Sequence, residues 1–141
     1  MATLTLNKGK TPQPAPVTTA AQAPRLTAEQ RRAANAWKRS EEGIALHGKD
    51  YVNDAKGLPA LIMNSGLMQV MAFLHDKGGR HELLAQHLRD WLATQCGTPK
   101  DFEPFMEQLF KMDDARRFQA ITAEAFAWLR WLRQMAAARK N

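Results

Sequence analysis

Cysteine is all but missing from this sequence. Cys96 is the sole one among 141 residues, so no disulfide forms within the chain and no C-x-x-C pair is there to hold zinc. A catalytic thiolate needs a neighbouring base and an activating field. The sequence around Cys96 supplies neither, so it reads as a half-buried small residue near a helix end. Long apolar runs are missing too. The most apolar stretches are broken by Asn64, Ser65, Gly66, Gln69 and His75, and none approaches the ~20 residues a membrane span requires. Met1 to Leu6 has no positive cluster followed by an apolar run, so it does not read as a secretory signal. The expected location is the cytoplasm. β-Branched residues are few, no segment alternates apolar and polar residues as strands do, and no internal repeat is present. A sheet is therefore not expected.

Sequence signals for catalysis are equally scarce. His47, His75, His81 and His87 do not fall at metal-ligand spacing. No H-E-x-x-H is present, and His81-Glu82 with His87 lacks a third ligand. All four histidines read as surface or boundary residues. Gly78-Gly79 lacks the strand and the Lys-Ser/Thr pattern of a phosphate loop, and no G-x-S-x-G occurs. Asp113-Asp114 suits the positive end of a helix and not a catalytic pair. The chain is expected to be no enzyme and to carry neither metal nor cofactor.

Polarity sorts the chain into two parts. Residues 1–26 contain Pro12, Pro14, Pro16 and Pro24 among Thr, Ala and Gln, with little large apolar surface. Such a composition buries too little to offset the entropy of ordering, so a flexible extension is expected. Its basic residues Lys8, Lys10 and Arg25 are reachable by a phosphate backbone. From residue 27 to 141 the pattern is that of a single helical domain. Thr27-Ala28-Glu29-Gln30 is a capping box, and a helix with Ala33, Trp37 and Ile44 on its buried face runs to about Leu46, where Gly48 stops it. Tyr51 to Asn64 reads as a short helix that breaks or kinks at Gly57-Leu58-Pro59. Asn64-Ser65-Gly66 ends it, with Ser65 as cap of the next helix. That helix, Leu67 to about Asp76, is apolar nearly all round and should be central to its bundle.

Further helices follow. Arg80 to Gln95 turns Leu83, Leu84, Leu88, Trp91 and Leu92 inward. A short helix is capped by Asp101, with Pro104 in its first turn and with Phe105, Leu109 and either Phe110 or Met112 facing in. The last starts at Asp113 or Asp114 and reaches about Ala138. The fold class is all-α: a compact bundle of about six or seven helices with short connections.

The last helix is the clearest signal. Phe118, Ile121, Ala125, Trp128, Leu132 and Met135 step by threes and fours along one stripe. Arg116, Arg130 and Arg133, with Gln119 and Gln134, point the other way. On the first helix Arg31, Arg32, Asn35 and Arg39 lie away from the Trp37–Ile44 stripe. The net charge is +6 from 20 Lys and Arg against 14 Asp and Glu. An arginine face of this kind tracks a phosphate backbone without reading its sequence. The plainer reading is a solvated face that keeps the protein dispersed, and Glu41, Glu42 and Glu124 dilute the positive surface in its favour. Trp37, Trp91 and Trp128 read as core. Trp131, at the edge of its stripe, reads as core or interface, with base stacking as the alternative.

Two blocks carry a family resemblance. Between Tyr51 and Leu74 stand a tyrosine, Lys56 before Leu58-Pro59, Leu61-Ile62, a polar pair, Gly66-Leu67 and Ala72-Phe73-Leu74, with Lys77-Gly78 after. The last helix carries Thr122-Ala-Glu124-Ala-Phe-Ala-Trp128-Leu-Arg-Trp131-Leu-Arg133-Gln-Met-Ala136. In their joint order and spacing these resemble the small all-helical subunit of the type III-B CRISPR Cmr effector complex, over roughly Gln30 to Ala136. The related small subunit of the Csm complex does a similar job, so the role is carried more firmly than the subtype. The resemblance implies a non-catalytic bundle whose copies stack in a minor filament beside the filament of the repeated backbone subunit. There it helps hold CRISPR RNA and target RNA. It adds Lys56, Lys77 and Arg133 as RNA contacts, and it makes Leu58, Pro59, Leu61, Ile62, Gly66, Leu67, Ala72 and Phe73 fold determinants. The expected RNA-binding set is thus Arg31, Arg32, Arg39, Lys56, Lys77, Arg116, Arg130 and Arg133. The competing expectations are a protein-only scaffold subunit and a helix-turn-helix DNA regulator. The regulator is disfavoured because no recognition helix opens with polar base-reading residues.

Overall fold

The structure, a computed structural model, describes residues 25–139. All but the last two residues of the expected N-terminal extension lie outside the described residues. The described residues form six helices and no strand: α1 Ala28–His47, α2 Lys49–Ser65, α3 Leu67–Lys77, α4 Gly79–Cys96, α5 Phe102–Phe110 and α6 Ala115–Arg139. The all-α expectation holds. The capping box at the start of α1 is formed as read: the Gln30 amide donates to Thr27 Oγ1 at 3.1 Å, and the Thr27 amide to Gln30 Oε1 at 2.7 Å.

Two local expectations fail at the next corners. The helix expected to break or kink at Gly57-Leu58-Pro59 does not break there: it runs as one helix through Pro59 to Ser65. An interior proline costs roughly 3 kcal/mol. Tyr51, Val52, Ala55, Leu58 and Ile62 are all buried on one stripe spanning the proline, and each large apolar side chain so placed contributes ~1.5–3 kcal/mol. Packing outweighs the local penalty. Nor does Ser65 cap α3: it is the last residue of α2, and Gly66 alone makes the corner, with φ 85° and ψ 156°. That conformation belongs to glycine. A one-residue corner leaves no extended serine to cap with. Gly48 and Gly78 join α1 to α2 and α3 to α4 in the same one-residue way.

The core gathers Tyr51, Leu58, Met71, Leu84, Leu88, Leu92, Phe105, Ile121, Trp128, Leu129 and Leu132. α6 is its axis, packing against α1, α2 and α4, whereas α3 packs against α2, α4 and α5. The pairs Arg32–Glu124, Asn35–Trp128 and Ser40–Arg139 advance together along both helices, so α1 runs parallel to α6. α3 is therefore not central. It buries Leu67, Val70, Met71 and Leu74 and leaves Phe73 48% exposed. Of the two candidates at the end of α5, Met112 is half-buried and Phe110 is exposed. Phe73 and Leu61, expected as fold determinants, are both exposed.

The buried face of α1 is rotated from the expected one. Its fully buried residues are Ala36, Ser40 and Gly43; of the expected stripe Ala33 and Ile44 are half-buried, Ile44 against the core, and Trp37 is 45% exposed. The reason is close approach. A Cβ on Gly43 would overlap the ring of Tyr51, so α1 presses on its neighbours through small residues and the indole has no room there. Trp37 instead lies beneath the guanidinium of Arg139, 3.5 Å from the ring centre.

Candidate nucleic-acid interface

α6 starts where carboxylates suit it. Asp114 Oδ1 accepts the backbone N–H groups of Arg116 and Arg117 at 3.1 and 3.2 Å, satisfying two of the free donors of the first turn. The stripe from Ile121 to Ala136 then turns into the core. Glu124, the single acidic residue of this helix, goes in with it. Its carboxylate takes a two-pronged bond from Arg32, Nε to Oε2 at 2.7 Å and Nη2 to Oε1 at 2.8 Å, and a third bond from Trp91 Nε1 at 2.9 Å. Burial pushes the Glu124 carboxyl up, but the bonds from Arg32 and Trp91 outweigh it and hold the group below the usual carboxylate range. Glu124 therefore does not dilute the positive surface as expected. Its burial leaves the outer face of α6 without any carboxylate of its own.

On that face Arg116, Arg130 and Arg133 are exposed, and none makes an ion pair among the described residues. Arg116 stands about four turns before Arg130, roughly 21 Å along the axis. Gln119 and Gln134, exposed on the same helix, add neutral hydrogen-bonding groups.

The α1 arginines behave differently. Arg31 is exposed and donates to the Leu26 carbonyl at 2.8 Å. Arg32 is taken up by Glu124 and, at 2.7 Å, by Glu29, whose hydrogen bonds raise its pKa above the ordinary arginine value. Arg39 is paired with Glu42 at 2.9 Å and faces Asp90 at 3.4 Å. The outward arginine face expected for α1 is thus largely turned inward and neutralised, because the small-residue stripe rotates that side of the helix toward α6 and α4. Lys56 is exposed on α2. Lys77, at the end of α3, lies over the Phe73 ring at 5.6 Å.

Three arginines with structural duties escaped the sequence reading. Arg89, 1% exposed, bonds Glu82, Gln86 Oε1 at 2.8 Å and the Lys100 carbonyl at 2.8 Å. It thereby ties α4 to the loop before α5. Arg117 reaches the Cys96 carbonyl at 3.3 Å, and Arg139 reaches Ser40 and the Trp37 carbonyl. No spacing rule marks a buried arginine.

The exposed end of α6 has a further feature. Trp131 is half-buried, and its Nε1 donates to Glu29 Oε2 at 3.1 Å. Around it Glu29, Arg130, Arg133 and Gln134 line an open hollow of about 430 Å³.

His87 corrects another expectation. It is 3% exposed and sits between α2 and α1: Nδ1 is 2.8 Å from Tyr51 Oη, and Nε2 is 3.3 Å from Glu42 Oε1. Burial and the nearby Arg39 push its pKa down to about 4. The ring is neutral, so Nδ1 accepts from the tyrosine and Nε2–H points to Glu42. Among the described residues no three His, Cys, Asp or Glu side chains gather as metal ligands, and no helix is long and apolar enough to cross a membrane. Cys96 is half-buried at the end of α4 as expected, and burial pushes its thiol up.

Several large apolar side chains are also exposed. Leu61, Met63, Phe73 and Phe110 are exposed at 42, 76, 48 and 66%. Leu61, Gln69, Ala72 and Phe73 line one hollow, and Ala72, Phe102, Met106 and Phe110 line a neighbouring one that shares Ala72.

Comparison with known proteins shows the family. The family described as CRISPR-associated protein (Cas_Cmr5) matches residues 28–139. Among solved structures, the crystal structure of a CRISPR-associated Cmr5 family protein from Thermus thermophilus superposes with a TM-score of 0.66 at 25% identity, covering 80% of this chain and 97% of that one. None of the curated proteins matches.

Proposed function

The chain belongs to the Cmr5 family, the small all-helical subunit of the Cmr complex in CRISPR defence, and from that premise we propose that it holds ribonucleic acid along the outer face of α6. It acts as a non-catalytic cytoplasmic subunit, stacking in a minor filament beside the repeated backbone subunit and flanking CRISPR RNA and target RNA. The observation that supports this reading is the inward turn of Glu124, the one acidic residue of α6, together with Arg116, Arg130 and Arg133 standing exposed with no ion pair among the described residues. Guanidinium forks suit phosphate, and contacts of this kind are independent of sequence. Arg31, Lys56 and Lys77 are exposed and remain in the set. Arg32 and Arg39 serve the helix packing, and their share in holding RNA is small.

The test is a Cmr complex reconstituted with Arg116→Glu, Arg130→Glu and Arg133→Glu together. Target RNA should be released at lower salt than from the native complex, with a shallower dependence of log Kd on log salt. Unchanged retention and an unchanged salt slope would count against it.

A second reading, the protein-only scaffold, is favoured by the apolar surface of α2, α3 and α5. Leu61 and Phe73 line one hollow and Phe110 a second that shares Ala72 with it, a contiguous apolar patch of the kind that marks a protein contact, and a neighbouring subunit of the complex covers it. The two readings are compatible, because one uses α6 and the other uses α3 and α5.

A further inference from the structure

We propose that the hollow beside Trp131 seats one unpaired nucleobase of single-stranded RNA, with the base lying on the indole face and Arg130 and Arg133 taking the phosphates on either side. The proposal rests on the RNA reading of α6 and names a site within it. The indole is held in place before any ligand arrives: the ring is half-buried, and its Nε1 is tied to Glu29 Oε2 at 3.1 Å. A fixed aromatic face loses little entropy on stacking. Its surroundings suit a nucleotide. Arg130 and Arg133 are unpaired among the described residues, and the Gln134 amide supplies both a donor and an acceptor for a base edge. The hollow, about 430 Å³, falls within the ~300–1,000 Å³ range of small-ligand sites.

Composition separates this site from the other hollows. Beside Trp131 the one carboxylate, Glu29, is already bonded to Arg32 and to the indole, whereas neither the hollow beside Leu61 and Phe73 nor the one beside Phe110 has a cationic residue in its lining, and the latter carries Glu103 and Glu107. Those two hollows suit protein. Beside Trp131 an aromatic ring and two guanidinium groups with no ion pair among the described residues converge, the combination that binds single strands without sequence preference.

The experiment compares the full chain with Trp131→Leu, Trp131→Phe and the Arg130→Gln/Arg133→Gln double variant. Each is titrated at low salt with a fluorescently labelled single-stranded RNA and with an abasic ribose-phosphate strand of the same length. The native chain should bind RNA about tenfold more tightly than the abasic strand. Trp131→Leu should lose that advantage while binding the abasic strand as before, and Trp131→Phe should keep most of it. The arginine double variant should weaken both strands alike. Equal native affinity for RNA and abasic strand, or Trp131→Leu binding RNA as well as native, overturns the base seat while the arginine result still stands for the RNA reading. If the arginine variant changes neither strand, that reading falls and the seat falls with it. A Trp131→Leu chain that binds RNA normally but no longer enters the Cmr complex makes the hollow a protein contact and also overturns the seat.

Discussion

His87 shows how a side chain's duty follows from its neighbours and not from its type. The groups facing it are Tyr51 of α2, Glu42 and Arg39 of α1 and Asp90 of its own helix. Burial and Arg39 outweigh the carboxylates, and the ring stays neutral down to about pH 4. In the unfolded chain it protonates near pH 6.5. Between those values the unfolded state binds a proton that the folded state does not, so stability falls as pH is lowered through this window. The full loss is about 3 kcal/mol. Glu42, held below the usual carboxylate range by Arg39 despite its burial, adds to the loss at still lower pH. Urea unfolding of the native chain should show the decline from pH 7 to pH 4.5, and His87→Gln should flatten it. A native curve level across that range, or a decline that His87→Gln leaves intact, would remove His87 from the account. None of this is legible in the sequence. A lone histidine has no periodicity, and its burial depends on Tyr51, 36 positions away. Glu124 is misplaced by sequence for a similar reason: a glutamate amid apolar residues reads as surface until its partners on α1 and α4 are known.

At the scale of the helix, the apolar stripes of α4 and α6 are plain in the sequence, whereas that of α1 misleads. Large side chains advertise a buried face, and α4 and α6 use them. α1 buries Ala36, Ser40 and Gly43, which carry little hydrophobic weight, so the visible stripe through Ala33, Trp37 and Ile44 is offset from the buried face and leaves Trp37 exposed. A spacing of small residues by four and three is the available signal. Its meaning, a backbone brought close to Tyr51, depends on the partner helix. Pro59 misleads for the complementary reason, since its local penalty is legible and the packing that overrides it is not. Gly43→Ala tests the close approach. The added methyl overlaps the Tyr51 ring, and overpacking of this kind costs about 2 kcal/mol. The melting temperature should drop by roughly 10 °C while far-UV circular dichroism at low temperature is kept. A melting temperature within a degree of native would mean that α1 has room to move away and that the small-residue stripe does not set the helix spacing.

Over the whole molecule, two surfaces of opposite character lie on different helices. The cationic face belongs to α6, whose chief packing partners are α1, α2 and α4. The apolar face belongs to α3, α5 and the end of α2. Family motifs in the sequence lead to the complex, but the exposure of Leu61 and Phe73 reverses their expected role. They match the family pattern, yet they contribute little to this domain's own core. Motif residues that remain uncovered in the single chain are best explained by a neighbour that covers them, and that explanation separates by mutation from RNA holding. Phe73→Gln with Phe110→Gln changes only exposed positions and adds no charge beside Lys77, so the melting temperature should stay within about 3 °C of native. RNA titration of the isolated chain should also be unchanged. Incorporation into a reconstituted Cmr complex, read by co-elution with the other subunits, should be lost. Arg130→Glu with Arg133→Glu should do the reverse, entering the complex and releasing RNA. If the phenylalanine pair assembles normally, the apolar face is not a subunit contact. If both pairs fail in both assays, the two faces act as one surface, and the division of labour between α6 and the α3–α5 side is wrong.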